Sequence, residues 1–354
     1  MTLSLFGSEE LDVQFRPRPK SPAAVAIKLA IQSEETHGLA RSLPPSVYLG
    51  TSSWTFPGWA GLVWDQPYAE TKLSKDGLHA YSQHPLLRTV SLDRAFYRPM
   101  TVAHYAKLAS QVSDDFRFVV KVPSMISDAL IRRTEGDGAG QGLQSNPHFL
   151  DASLFQEVCL QPVLQGLGGK LGALVLQMSP LPVSMLSKSA IFKLFEALAG
   201  ILSAQTAIKS VLTDASLAIE LRNAELIQTP YRDALIALLK AHGATYCLAG
   251  HAKMPPLEEQ LPILRKLWPG PLVCRWNLHA KHGSFGYEQA KSSYAPFDQL
   301  VDEDLATRTT LARVIAGTVR GGQQAFVTIN NKAEGSAPLS VKKLANEVVR
   351  RLSQ

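Results

Sequence analysis

The sequence has few cysteines and no long run of uncharged apolar residues. Three of the 354 residues are cysteines, and two of them, Cys247 and Cys274, lie in predicted strands, where a free thiol behaves as a small buried hydrophobe. This usage predicts a reducing, cytoplasmic setting. The first ten residues lack the basic flank and apolar centre of a signal peptide, and no later segment is uncharged and apolar for long enough to cross a bilayer. We therefore expect no contact with a membrane.

The local signals of two enzyme classes are also missing. No serine lies in a nucleophile-elbow sequence, which argues against Ser-His-Asp catalysis. A glycine-rich stretch at residues 134–142 resembles a phosphate-binding loop in composition, but such a loop needs a strand directly before it. The preceding predicted strand ends near Lys121, more than ten residues earlier. The stretch is typical of a mobile loop, which beside a site can act as a lid.

Acidic excess is absent as well, since the formal net charge is +6. The charge therefore does not exclude an anionic partner. Most basic residues, however, are dispersed along the chain, as is typical of lysines and arginines on a solvated surface. The exception is the run Arg16-Pro17-Arg18-Pro19-Lys20, which joins a predicted helix at about residues 22–35. We interpret residues 1–45 as an N-terminal extension whose basic, proline-rich arm is a flexible leader, with a grip on phosphates as the alternative.

Eight short apolar runs, rich in Val, Leu, Phe and Ile, have the composition of strands that are covered on both faces. Stretches with helical spacing separate them, and this alternation implies right-handed crossovers and a parallel sheet. Eight repeats favour a closed TIM (β/α)8 barrel, a single domain at residues 46–354, over an open doubly wound sheet. The predicted strands are at about 46–51, 88–93, 116–121, 172–177, 217–220, 244–249, 271–276 and 323–329. The predicted helices include about 190–202, 231–241, 257–267, 305–319 and 339–352.

A series of short motifs occurs in a fixed order along these runs. The first are GTSSW at 50–54, Gly58-Trp59, FYRP at 96–99 and FRFVVKVP at 116–123. LGALVLQMSP at 171–180, AIELR at 218–222, VCRW at 273–276 and INN at 329–331 follow. Together they resemble the successive signatures of the YecE-like family, the domain of unknown function 72, from about Val47 to the C-terminus.

This resemblance implies a TIM barrel, in agreement with the strand count, and implies no settled reaction. Such proteins usually carry a Glu and an Asn where this chain has Ser91 and Asp93, and a His where it has Asn277. If those positions carry chemistry, this chain has altered or lost it. The leader before Val47 and the segment 125–148 resemble additions to the family core.

Polar residues at the carboxyl ends of the predicted strands should converge, because these ends face one side of a parallel barrel. Glu220 and Arg222 are two apart on one strand and point to the same side. Glu220 is thus a candidate base and Arg222 an anion clamp, or the two form a structural ion pair. Asp93 is the second candidate acid or base. The candidate substrate-binding residues are Ser53, Trp54, Tyr97, Lys121, Gln177, Arg222, Arg275, Asn277, Asn330 and Asn331.

These candidates differ in what they would contribute. Lys121 and Arg275 are cations suited to a phosphate, a carboxylate or a nucleic-acid backbone. Gln177 and the two asparagines of the last strand are neutral donors and acceptors, and we expect one of those asparagines to be a structural plug. Tyr97 and Trp54 would be aromatic walls for a sugar or a base. The aromatic cluster after the first strand is more typical of packing than of a stacking platform: Trp54, Phe56, Trp59 and Trp64.

The sequence therefore predicts an enzyme without a cofactor whose mouth binds a small anionic, phosphate-bearing ligand. The expected chemistry is metal-independent acid/base or hydrolytic work on a phosphorylated sugar or a nucleic-acid fragment, by analogy with other TIM barrels. One alternative is a metal-dependent phosphodiesterase or isomerase, with a divalent metal held by His251, His279 and His282 beside Glu220. The other is a non-catalytic nucleic-acid-binding or scaffolding protein.

Overall fold

The computed structural model describes residues 26–132, 142–283 and 285–354. Within these ranges, eight parallel strands close into a barrel in the order β1-β10-β9-β8-β7-β6-β3-β2. The predicted barrel is thus confirmed. A two-stranded antiparallel hairpin, β4-β5, lies outside it. The strands are β1 Val47–Thr51, β2 Thr89–Leu92, β3 Arg117–Lys121, β4 Leu130–Arg132, β5 Leu143–Ser145, β6 Leu171–Gln177, β7 Ser216–Glu220, β8 Thr245–Gly250, β9 Leu272–Trp276 and β10 Ala325–Ile329.

Helices connect the strands and surround the barrel in the described part of the chain. The first half contains α1 Glu34–Ser42, α2 Glu70–Asp76, α3 Leu78–Ser82, α4 Arg94–Tyr97, α5 Val102–Ala109, α6 Ser124–Ser127, α7 Ala152–Phe155 and α8 Gln161–Leu167. The second half contains α9 Lys188–Leu202, α10 Ala204–Val211, α11 Tyr231–His242, α12 Leu257–Leu267, α13 Tyr287–Tyr294, α14 Leu305–Arg320 and α15 Ala337–Leu352.

The barrel strands are buried on both faces, which explains their uninterrupted apolar sequences. One face packs against the helices, and the other fills the lumen. In the lumen the rings of Tyr48 and Phe326 stack with their centroids 4.9 Å apart. The barrel is therefore a packed core below its mouth and has no pore. The lumen cluster consists of Tyr48, Val119, Ala173, Val175, Ala218, Cys247, Val273 and Phe326.

The helix predicted at 22–35 is wrong in its position. Residues 26–32 are not helical, and the Ala30 amide donates to the carbonyl oxygen of Val63 at 2.9 Å. Helix α1 starts only after Ser33, whose hydroxyl accepts from the Thr36 amide at 3.3 Å. Ser33 is therefore the N-cap of α1, and two glutamates occupy its first turn, where they favour the helix N-terminus. The basic arm at 16–20 lies outside the described residues.

The hairpin β4-β5 was not predicted, and it flanks the glycine-rich stretch. Of that stretch only Gly142 lies within the described residues. The side chain of Asn146 closes the base of the hairpin, because its Nδ2 donates to the carbonyl oxygens of Met125 and Asp128 at 2.9 and 2.8 Å. The described ends of the segment 125–148 are thus bonded to each other shortly after the carboxyl end of β3.

One helical stretch among the described residues, Lys188–Val211, is long and apolar enough by length and composition to cross a membrane. Half of its most apolar window is buried inside the fold. The stretch is divided between α9 and α10, and side chains such as Ile191, Leu198 and Ile201 are fully buried in the main core. Its apolar character is accounted for by packing around the barrel.

Gly50 is a test of barrel closure, because a Cβ at this position would lie 1.8 Å from the carbonyl oxygen of Thr89 in the neighbouring strand. We expect Gly50→Ala to lower the free energy of unfolding by about 1 to 3 kcal/mol, since backbone atoms must shift to admit the methyl group. Urea denaturation measures the change. Gly169→Ala is the matched control, because nothing lies within 4 Å of its added Cβ. Equal stability of the two variants would contradict the packing argument.

Candidate functional site

A pocket of about 240 Å³ opens at the carboxyl ends of the barrel strands. Strand ends and the loops that follow them supply its lining, so residues from distant parts of the chain meet there. Several are predicted site residues. The lining consists of Asp93, Phe96, Tyr97, Lys121, Gln177, Ser179, Pro180, Arg222, His251, Lys253, Arg275, Asn277, Tyr287 and Asn330.

Arg275, on β9, is the centre of the charged floor of this pocket. Its Nη2 donates to both carboxylate oxygens of Asp93, at 2.9 and 2.8 Å. Its Nη1 donates to Oε2 of Glu220 at 2.7 Å and to Oε1 of Gln177 at 2.9 Å. Only 2% of the Arg275 side chain is exposed. Both terminal nitrogens are thus occupied by protein groups, and this guanidinium organises the floor more than it faces a ligand.

Glu220, at the end of β7, is fully buried beneath the pocket. Its Oε1 accepts from Arg222, and its Oε2 accepts from Arg275. Burial alone would raise the pKa of this carboxyl, but the positive charges of Arg222 and Arg275 lower it to about 2. A carboxylate with this pKa is a poor proton acceptor at neutral pH. The geometry therefore favours the structural ion pair over the predicted role of Glu220 as a base.

Asp93 follows β2 and keeps about 31% of its side chain exposed. Its carboxylate binds Arg275 and also accepts from the Ser91 hydroxyl at 2.6 Å. Ser91 and Asp93 are two of the positions where the chain departs from the pattern of the YecE-like family, and they contact one another. Asp93 remains the candidate carboxylate that lines the pocket.

Lys121, at the end of β3, is buried without a carboxylate partner. Only 5% of the residue is exposed, and its Nζ lies 3.7 Å from the centroid of the Phe96 ring. Among the described residues Nζ makes no hydrogen bond and no ion pair, although it lines the pocket. Burial, and then the positive charge of Arg275, lowers the pKa of Lys121 from 10.5 to about 8. This amine is available to a ligand.

Three further side chains of the pocket have donors that the described residues leave unpaired. Nδ2 of Asn277 and the Nε atoms of Arg222 and Arg275 are buried without a hydrogen-bond partner. Arg222 uses only Nη2 for its bonds to Glu220 and Gln177, so Nη1 is also uncommitted within the described part of the protein. Unpaired buried donors are costly unless a bound group accepts from them. The unpaired polar groups of the pocket, among the described residues, are thus mainly hydrogen-bond donors.

The three histidines of the metal hypothesis have different hydrogen-bond partners, although the rings of His279 and His282 lie with their centroids 6.4 Å apart. His251 lines the pocket, and its Nδ1 accepts from the Lys253 amide at 3.0 Å. Burial lowers the pKa of His251 to about 3, so the ring is neutral. Nδ1 of His279 accepts from the Lys281 amide, whereas Nε2 of His282 lies 2.7 Å from the Tyr294 hydroxyl. Within residues 26–132, 142–283 and 285–354, no three His, Cys, Asp or Glu side chains form a group that could hold a metal ion.

Four predicted binding residues have mainly structural contacts. Trp54 is 1% exposed and its indole N–H donates to the Leu73 carbonyl oxygen, so it does not form a wall of the mouth. Ser53 lies outside the pocket lining. Asn331 is the buried plug, since its Oδ1 accepts from the Trp59 indole and from the Ala337 amide. Asn330 lines the pocket, and its Nδ2 donates to the Ser52 hydroxyl at 2.8 Å.

Exposed aromatic side chains stand around the opening. Tyr97, a predicted residue, is 80% exposed. Phe285 and Tyr287 were not predicted, because they follow β9 by about ten residues in a connection whose conformation has no sequence period. Phe285 is 92% exposed and lies below the ammonium group of Lys253, 5.0 Å from its ring centroid. Exposed rings of this kind can contact a sugar or base that extends from the pocket.

A larger cavity, of about 460 Å³, lies elsewhere, between α12 and α14 near the starts of β8 and β9. Its lining is mainly apolar, with Leu261, Leu264 and Trp268 among its members. In TIM barrels the catalytic groups lie at the carboxyl ends of the strands, whereas this end contributes stability. The smaller mouth pocket is therefore the candidate functional site.

Comparison with known proteins gives relatives of the same fold. The chain matches the family model "Protein of unknown function DUF72" over residues 48–354. It is similar to a solved DUF72 family protein from Enterococcus faecalis V583, with 17% identity over 85% of this chain and 95% of that one and a TM-score of 0.52. A DUF72 family protein from Thermotoga maritima MSB8 gives 18% identity, 87% and 99% coverage and a TM-score of 0.51. No curated protein matches the chain.

Proposed function

Because the chain belongs to the DUF72 family, whose members share this barrel without an assigned reaction, we propose from the site itself that the mouth binds a small anionic ligand that carries a phosphate group. The observation that supports the proposal is the set of uncommitted donors in one pocket. Nζ of Lys121, Nδ2 of Asn277 and the Nε and Nη1 atoms of Arg222 all lack partners among the described residues. Phosphate oxygens accept such bonds.

The charge of the pocket favours the same ligand. Four cations, Lys121, Arg222, Lys253 and Arg275, oppose two carboxylates, Asp93 and Glu220, when Lys121 is protonated. The excess is two positive charges in a partly buried site, where an anion gains more than it would at the open surface. The same excess of positive charge would repel a divalent cation.

The dimensions of the site limit the ligand. A pocket of about 240 Å³ accepts a phosphate with one attached sugar ring and leaves a larger remainder outside. A phosphorylated sugar and the end of a nucleic-acid fragment both fit this description. The exposed rings of Tyr97 and Phe285 favour either one, since a sugar face or a base can stack on them.

We further propose that the protein is an enzyme and that its chemistry is metal-independent acid/base or hydrolytic work at this mouth. Asp93 and Lys121 are the ionisable groups that line the pocket and that this chemistry would use. A cytoplasmic setting belongs to the same proposal, and the three buried, free cysteines support it.

We expect Arg222→Met to weaken the binding of ribose 5-phosphate by about 1.5 to 3 kcal/mol, the contribution of a hydrogen bond to a charged group. That is roughly a tenfold to 150-fold rise in Kd. Isothermal titration calorimetry measures it. Asn277→Leu, which leaves every ion pair of the floor intact, should weaken binding by about 1 kcal/mol. Arg232→Met is the matched control, since among the described residues Arg232 forms an ion pair with Asp233 alone, at the surface, and its loss should leave Kd unchanged.

Three results would contradict the proposal. One is an unchanged Kd in both pocket variants. A second is stabilisation by divalent metals alone that His279→Ala abolishes and Arg222→Met does not, which would favour the metalloenzyme. The third is salt-dependent binding of single or double strands with no response to ribose 5-phosphate, which would favour the nucleic-acid-binding protein.

A further inference from the structure

Lys121 has the surroundings of a nucleophilic amine as well as those of an anion contact. We propose that Nζ of Lys121 forms a Schiff base with an aldehyde or ketone that carries a phosphate or carboxylate group. This inference rests on the anion-binding function proposed above, because the anionic group would be held by Arg222 and Asn277 while the carbonyl carbon meets Nζ.

The position of Lys121 suits this reaction. Its side chain comes from the end of a rigid barrel strand and ends in the pocket, with 5% of the residue exposed. The Phe96 ring, 3.7 Å from Nζ, covers the amine on one side with an apolar face. A reactive group held by a strand and a packed ring has few conformations to lose when the substrate binds.

Within the described residues, no carboxylate forms an ion pair with Lys121. Asp93 and Glu220, whose negative charges act on Lys121, both bind Arg275, and Asp128 interacts with Lys121 only through its charge. A lysine that is desolvated and adjacent to another cation loses its proton more easily, and this activates its nitrogen as a nucleophile. With a pKa of about 8, roughly a quarter of the molecules hold a neutral amine at pH 7.5, against roughly one in a thousand for an ordinary lysine.

The step balances without any oxidant or further co-reactant. The Nζ lone pair forms a bond to the carbonyl carbon, and a proton moves from nitrogen to oxygen to give a carbinolamine. The nitrogen lone pair then forms the C=N bond while the C–O bond breaks, and the oxygen leaves with a second proton as water. The imine that results withdraws electrons from the adjacent carbon, so a base such as Asp93 can remove a proton there.

The experiment is reductive trapping with two defined probes. The protein is incubated with dihydroxyacetone phosphate or with pyruvate, sodium cyanoborohydride is added at neutral pH, and the labelled lysines are identified by peptide mass mapping. We expect one adduct for each protein molecule, confined to Lys121, and protection of Lys121 by excess inorganic phosphate. Lys209→Met, a change on the outer surface, should leave the adduct intact.

Lys121→Arg separates the two roles of the side chain, because arginine keeps the positive charge and has no nucleophilic amine. We expect this variant to bind inorganic phosphate in a thermal-shift titration and to form no adduct. Absence of an adduct in the wild-type protein that still binds phosphate would overturn the Schiff base and leave the anion site. Labels spread evenly over surface lysines would also overturn it. Failure of the wild-type protein to bind phosphate would instead overturn the anion-binding proposal.

Discussion

Replacing Arg275 by methionine should lower the free energy of unfolding by about 3 to 5 kcal/mol, because the change leaves a buried carboxylate with one cation where it had two. In the native protein one guanidinium binds Asp93 from β2 and Glu220 from β7, and so joins strands that are not neighbours in the barrel. Glu220 has no access to water with which to replace the lost partner. Urea denaturation followed by circular dichroism measures the change.

A surface arginine provides the matched control for this loss. Arg41→Met removes an ion pair with Glu34 in which both side chains are mostly exposed, and pairs of this kind contribute about 0 to 1 kcal/mol. An Arg275→Met protein as stable as the Arg41→Met protein would show that the network contributes little.

Raising the pH from 8 to 10.5 should stabilise the wild-type protein by about 3 kcal/mol relative to Lys121→Met. The pKa of Lys121 is about 8 in the folded protein against 10.5 for an ordinary lysine. Between these values the unfolded chain binds a proton that the folded protein does not, so stability rises with pH in this window. A pKa difference of this size corresponds to about 3 kcal/mol, at about 1.4 kcal/mol per unit.

The comparison with Lys121→Met is needed because other buried groups titrate in the same range. The pKa of Lys332 is also about 8, mainly through burial, and its contribution is the same in both proteins. Denaturation curves at four or five pH values give the difference directly. A difference that does not change between pH 8 and 10.5 would mean that Lys121 keeps its proton in the folded state.

The barrel and the convergence of charge at its mouth follow from the sequence, because both depend on regular periods. Lys121, Glu220 and Arg275 each lie at a strand end, so knowledge of the strands places them on one side. The different roles of these three residues do not follow from the sequence. They depend on Arg275 reaching Asp93, which is 182 residues away. Only side-chain geometry shows that Glu220 is enclosed while Lys121 forms no ion pair with any described residue.

Local elements without a period were the ones that the sequence misplaced or missed. A helix was predicted at about 22–35, but residues 26–32 are not helical and contact Val63, so tertiary structure overrides local propensity there. The hairpin β4-β5 has strands of three residues, too short for an alternation to be seen. Phe285 is placed beside the mouth by its contact with Lys253, a residue of the pocket lining that is distant in sequence.

The stacked rings of Tyr48 and Phe326 close the lumen of the barrel below the mouth pocket. Within the described part of the protein, a molecule in the mouth pocket must leave by the opening through which it entered. An entering ligand and a departing ligand therefore use the same opening. A product that retains its anionic group would therefore delay the next substrate. A ligand larger than the pocket has to enter by one terminus, with its remainder projecting past Tyr97 and Phe285. Under the proposed function, such a site would recognise the ends of molecules, and a chain with both termini blocked should be a poor ligand.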